Sequence, residues 1–186
     1  MIPIPMHRRG DAQCPTDLVL LSHPLAFIAN NNFCVRRVCT EIERIIGSEA
    51  LDREAAQKVL HFLNEDLPTH LRDEAEDLFP HMRRRCPPED KIEQSITRVM
   101  IDQGAASALL PRVRNILTQC LEAPGVPTAP EAEQLVQFMT HVQRHLIAET
   151  AILLPLARVR LTTRDLQSMS LRMKTRRQFT SGDIFC

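Results

Sequence analysis

Two stretches of the chain place a histidine and a glutamate four residues apart and then run on to a proline. The first, HLRDEAEDLFP, covers residues 70–80, and the second, HLIAETAILLP, covers residues 145–155. In both, Leu follows the His, Glu stands four residues after it, and Pro stands ten residues after it. On a helix, a spacing of four brings the imidazole and the carboxylate onto one face. There they can satisfy one another or act together as ligands for a cation. A lone His-x-x-x-Glu is usually a surface pair. A second copy with the same Leu and Pro, on an apolar face, argues for an inward one.

The elements that must position these pairs follow from the apolar spacing. Residues 1–20 form a leader, and Ser22 with Pro24 suits a helix start. Ile28, Val35, Cys39, Ile42 and Ile46 mark the stripe of a first helix, with Asn32 filling its one gap and Gly47 ending it. A second helix begins near Asp52 and carries Val59, Leu63, Leu67, His70, Glu74 and Leu78 inward. Pro68 should kink it, and Pro80 should disturb its last turn. CPPED, residues 86–90, is a break. A third helix presents Ile92, Ile96, Val99, Gln103, Ala106, Leu110, Val113, Leu117 and Cys120, and Pro111 should bend it. After a loop over residues 122–130, a fourth helix starts near Glu131. It carries Leu135, Phe138, Val142, His145, Glu149, Ile152 and Leu156 inward.

A final amphipathic segment opens on a Thr cap and carries Leu166, Met169 and Met173 on one side. Its last residues, QFTSGDIFC, look frayed. The spacing predicts an all-α protein, an up-down-up-down antiparallel four-helix bundle with an extra C-terminal helical segment. The divisions are 1–20 (leader), 21–160 (bundle) and 161–186 (C-terminal helix and tail). The basic C-terminal segment is expected to pack across the bundle end, with a docking surface for a protein as the sharper alternative. The HMRRRC run is expected to be a solvated helix end, and His61 and His81 are expected at the surface or rim.

Each inward stripe is broken by polar residues partway along: Asn32, then His70 and Glu74, then Gln103, then His145 and Glu149. In an antiparallel bundle these can share one layer. A buried polar group without a partner costs roughly 1–3 kcal/mol, so the layer must satisfy itself or be satisfied by a metal.

Composition excludes other classes. Lys and Arg together number 23, as do Asp and Glu, so no net field favours nucleic acid or an anionic membrane. With no Trp or Tyr, base stacking has little support. The N-terminal MIPIPMHRRGDAQCPTD lacks the apolar run of a signal peptide or membrane span, which leads to the expectation of a cytoplasmic protein. Six scattered cysteines are then expected to be free thiols more than disulfides, and without a CxxC a thiolate zinc site has little support. No nucleophile–base constellation or nucleotide loop is visible, so an enzyme reading depends wholly on a metal.

The doubled His-x-x-x-Glu followed by LFP or LLP, the HPLAFI opening of the first helix and the RRRCPPED break resemble the hemerythrin-like, or HHE cation-binding, domains. The resemblance spans about residues 20–160. It implies a four-helix bundle holding non-haem iron on His and carboxylate ligands, in the service of oxygen binding, redox or iron sensing, or nitric oxide responses. It also implies that His70, Glu74, His145 and Glu149 are metal ligands. The family places a further His on the first and third helices, where this chain has Asn32 and Gln103. Amides are weak donors beside imidazole. The resemblance therefore implies a degenerate centre: one or two iron ions, zinc, or a metal-free polar layer. His141, one turn before His145, is a candidate substitute ligand. The expected role is that of a small sensor or regulatory protein acting through a protein partner or a second copy of itself. The alternatives are a metal-free interaction module and a di-iron oxygen binder or peroxidase.

Overall fold

The computed structural model describes residues 18–123 and 125–182, the last five as backbone only. Residues 1–17, most of the expected leader, and residues 183–186 lie outside it. All regular structure among the described residues is helical. A 3₁₀ turn, Leu18–Ser22, leads into α1 (Pro24–Gly47). The second rod is built from α2 (Arg53–Asn64), α3 (Asp66–Asp73), a π-helical turn (Glu74–Leu78) and α4 (Phe79–Arg85). After a 3₁₀ turn at Pro88–Asp90 the third rod is α5 (Ile92–Glu122). The fourth is α6 (Ala129–Ala148), a second π turn (Glu149–Leu153) and α7 (Leu154–Arg160). The chain closes with α8 (Thr163–Gly182).

The buried apolar side chains fall into two clusters. One joins Leu25–Ile28 of α1, Leu78–Met82, Ile92–Val99 of α5 and Leu153–Ala157 with Met169 and Met173 of α8. The other joins Cys34–Ile45 of α1, the α2 face with Leu67, Ala106–Cys120 of α5 and Leu135–Leu146 of α6. The starts of rods one and three thus meet the ends of rods two and four. That is the up-down-up-down arrangement the stripes predict. Between the clusters lies the expected polar layer.

The prolines act differently from expectation. Pro68 does not kink the rod at its own position. Its ring crowds the carbonyl four residues back, at Asn64, and the break falls at Glu65, whose N–H bonds the His61 carbonyl at 3.0 Å. Pro80 and Pro155 each stand just past a π turn. The Phe79 N–H reaches back five residues to the Glu74 carbonyl, and the Leu154 N–H reaches the Glu149 carbonyl. The extra residue accommodates the proline and lets the helix continue. It also rotates the downstream turns about the helix axis. Ile152 was expected inward but is 41% exposed, and Leu153, shifted by one, is fully buried. α5 runs unbroken through Pro111.

Caps explain the remaining ends. Asp52 accepts from the Ala55 N–H at 3.0 Å, as expected. Ser22 is not the cap of α1: His23 holds that place, and the Ser22 hydroxyl donates to the Val19 carbonyl. α6 begins two residues before Glu131, which closes a capping box with Thr128. The backbone of α8 stays helical to Gly182, so QFTSG belongs to it. Arg84 and Arg85 at the end of α4 are not simply solvated, since both clasp Asp165 of α8.

Candidate metal centre

His70 and Glu74 lie on successive segments of the second rod, and His145 and Glu149 lie at the same junction of the fourth. All four are buried, as are Asn32 on α1 and Gln103 on α5. Glu74 is the hub. His70 Nε2 is 2.8 Å from Glu74 Oε1, and His145 Nε2 is 3.0 Å from Glu74 Oε2. His145 Nε2 is also 3.4 Å from Glu149 Oε2. Asn32 Nδ2 donates to Glu149 Oε2 at 2.9 Å, and Gln103 Nε2 donates to Glu74 Oε2. The structure therefore brings all six of these side chains into one layer.

His141 stands apart from it. The ring is 29% exposed, and its Nδ1 lies 3.0 Å from Asp102 Oδ1, an oxygen shared with Arg144 at 3.1 Å. Its contact is with Asp102, not with the ligand layer. Asp102 itself, almost fully buried beside Gln103, carries no signal in the helical stripe. His81 was expected at the rim but is buried, and its Nδ1 sits 2.7 Å from the Asp77 carbonyl oxygen. Cys39, Cys86 and Cys120 are free, whereas Cys34 takes part in a disulfide, which corrects the free-thiol reading there.

The electrostatics follow from burial and from the shared hub. Burial opposes the charged form of both imidazoles, yet the Glu74 carboxylate outweighs it. His70 is raised, and His145 is raised to about 10. Burial would raise Glu74 too, but His145 and His70 hold it well below the usual carboxylate range. Glu149 is raised, by burial and by the charge of Glu74.

The short approaches are not all bonds. His70 Nε2, Glu74 Oε1, His145 Nε2, Glu149 Oε1 and Asn32 Oδ1 are buried and lack a hydrogen-bonded partner. An aligned hydrogen bond is directional, and these atoms approach without that alignment. Leaving such an atom buried and unpaired costs about 1–3 kcal/mol. Crowded together, imidazoles and carboxylates of this kind can hold a cation, which would displace the imidazole protons on binding. His70, Glu74 and Glu149 each offer a donor atom within 4.8 Å of the others. The residues fit a metal ion. One departure is that His70 Nδ1 has no partner either, so this ring lacks the outer hydrogen bond that commonly orients a metal-binding histidine.

A four-helix bundle with a buried His and carboxylate centre at mid-height defines a class of cation-binding bundles. Residues 34–157 match the hemerythrin HHE cation-binding domain, and the chain belongs to that family. The matched span holds His70, Glu74, Gln103, His145 and Glu149, while Asn32 precedes it. Comparison with curated proteins gives no match. Among the described residues no helix is long and apolar enough to cross a membrane.

Proposed function

We propose that the protein is a small hemerythrin-like regulatory protein, responsive to a metal ion, to oxygen or to redox state, with a degenerate site that holds one ion. His70, Glu74, His145 and Glu149 are its ligands. The observation that carries this reading is the state of the two carboxylates. Each has one oxygen taken by an amide, Glu74 Oε2 by Gln103 and Glu149 Oε2 by Asn32, and the other oxygen unpaired. Two imidazoles and one available oxygen from each carboxylate make an acceptable set for a single non-haem iron or zinc ion. A second ion would have to compete with the amides.

When bound, an iron ion supplies redox chemistry and open positions for small ligands. The chain's own residues supply the rest. The two imidazoles and two carboxylates tie the second rod to the fourth. Asn32 and Gln103 fix the carboxylates from the first and third. Occupancy then biases how the whole bundle presents its surface to a protein partner or to a second copy, in a cytoplasmic setting.

The test is metal analysis of protein purified without chelators, with anaerobic ferrous titration and absorption spectra. One ion per chain, lost in His145→Ala, supports the proposal. Two irons per chain with the bands of an oxygen adduct would favour an oxygen-binding di-iron protein. No affinity for any divalent ion would favour a metal-free interaction module, the reading to which the amide–carboxylate hydrogen bonds lend support.

A further inference from the structure

Glu74 has carboxylate neighbours that point elsewhere. Asp73 directly precedes it, Asp77 stands three residues later, and both are fully buried. Neither belongs to the His-Glu layer. Both are held by α8. Arg176 donates to Asp73 from Nη1, and from Nη2 to Asp77 at 3.0 Å and to Glu76 at 2.8 Å. Arg177 forks onto Asp73 at 2.6 and 3.2 Å, with its guanidinium 4.4 Å from the centre of the Phe27 ring of α1. Arg172 donates from Nε to Asp77. Three arginines within six residues thus grip the π turn that begins at Glu74.

The rest of α8 is fastened to the same end of the bundle. Met169 and Met173 are fully buried in the core cluster at that end, and Ser170 donates to the Leu21 carbonyl at 2.6 Å. At its start, Asp165 caps the helix through Thr162 and accepts from Arg84 and Arg85. The acids of the π turn depend on this docking. Without α8, Asp73 and Asp77, four residues apart on one rod, would lose their counter-charges and their cover, a change that hydration or protonation must relieve. The π turn would lose the clamp on its flanking acids, and Glu74 lies inside it.

We infer that Arg172, Arg176 and Arg177 are positioning residues for Glu74, and that docking of α8 and occupancy of the cation site are thermodynamically linked. The inference rests on the cation-binding reading above. Linkage is reciprocal: whatever factor α8 adds to cation affinity, the cation adds to the docking of α8. The C-terminal helix is then the part of the molecule that reports the state of the site.

The experiment uses the full chain and Co²⁺ as the probe ion. Affinity is measured by chelator competition, and amide hydrogen exchange of α8 is followed with and without Co²⁺. In R176Q/R177Q, affinity should fall about tenfold, within the usual size of a coupling between two linked sites. In the parent protein, Co²⁺ should slow α8 exchange by a similar factor. Unchanged α8 exchange on saturation with Co²⁺ refutes the linkage, as does a variant that frees α8 while keeping parental affinity. If R176Q/R177Q does not fold, the parent exchange measurement decides alone. A parent chain that takes up no Co²⁺ sinks the cation reading itself, and this inference with it.

Discussion

The imidazoles of His70 and His145 face each other with centroids 6.4 Å apart and planes within 3° of parallel. Glu74 lies within 3.0 Å of a nitrogen of each. One carboxylate therefore organises both halves of the duplicated motif. Glu74→Gln keeps the shape and removes the charge. Loss of groups behind a ligand costs about 10–100-fold in metal affinity, so if Glu74 is the shared ligand proposed above, its loss should cost more than about 100-fold. Equilibrium dialysis against ferrous or cobaltous ion checks it, and parental affinity in the variant would place the ligands elsewhere.

Asn32 and Gln103 each occupy one oxygen of a carboxylate through an amide N–H. Replacing both by His should release those oxygens and add two strong nitrogen donors. N32H/Q103H is expected to purify with more iron per chain than the parent and to show oxo-bridged di-iron absorption bands that the parent lacks. Iron content that stays at the parental level would mean that the amides do not limit the site.

Asp165 supplies a pH signature remote from the candidate metal centre. Hydrogen bonds from Arg85 first, then from Thr162 and Arg84, hold its carboxyl well below the usual range. A folded-state value below the unfolded one contributes stability that is fully present above the unfolded pKa of about 3.9 and is lost as pH falls through the folded value. The difference in melting temperature between the parent and Asp165→Asn should thus be constant above about pH 5 and shrink below about pH 4. A difference that grows on acidification would contradict the assignment.

Gly104 sits on the exposed face of α5, and a Cβ built there meets nothing within 4 Å. Gly104→Ala should stabilise by roughly 0.5–1 kcal/mol, for a melting-temperature rise of about 1–4 °C by calorimetry. Cobalt affinity should not change, although Gln103 is its neighbour. A fall in either quantity would show that the backbone there is not ordinary helix.

Much of the polar layer could be read from the sequence, because a helical stripe reports burial directly. Every inward residue expected on α5, from Ile92 to Cys120, is buried. The π turns could not be read that way, since a fixed period of 3.6 cannot register an inserted residue, and Ile152 went to the wrong side for that reason. The matched prolines were the available sign. Asp73 and Asp77 were missed because acidic residues off the main stripe look like solvent-facing ones. Only the arginines at 172, 176 and 177, on a segment distant in sequence, make them interior. Asp102 was hidden in the same way, by partners on another helix.

The seam of polar side chains has a consequence for how the protein comes apart. Apolar contact supplies most of the cooperativity of a small domain, and here it is interrupted at mid-height. α1 and α5 run through both halves, and between the apolar clusters the half bearing α4, α7 and α8 meets the half bearing α2 and α6 at the six polar side chains. Such a molecule should open in two steps, with separate sets of amides exchanging at different free energies. A cation gripped at the seam would join the two halves into a single cooperative unit. Its arrival would be felt less as added stability at one point than as the loss of a partly open state.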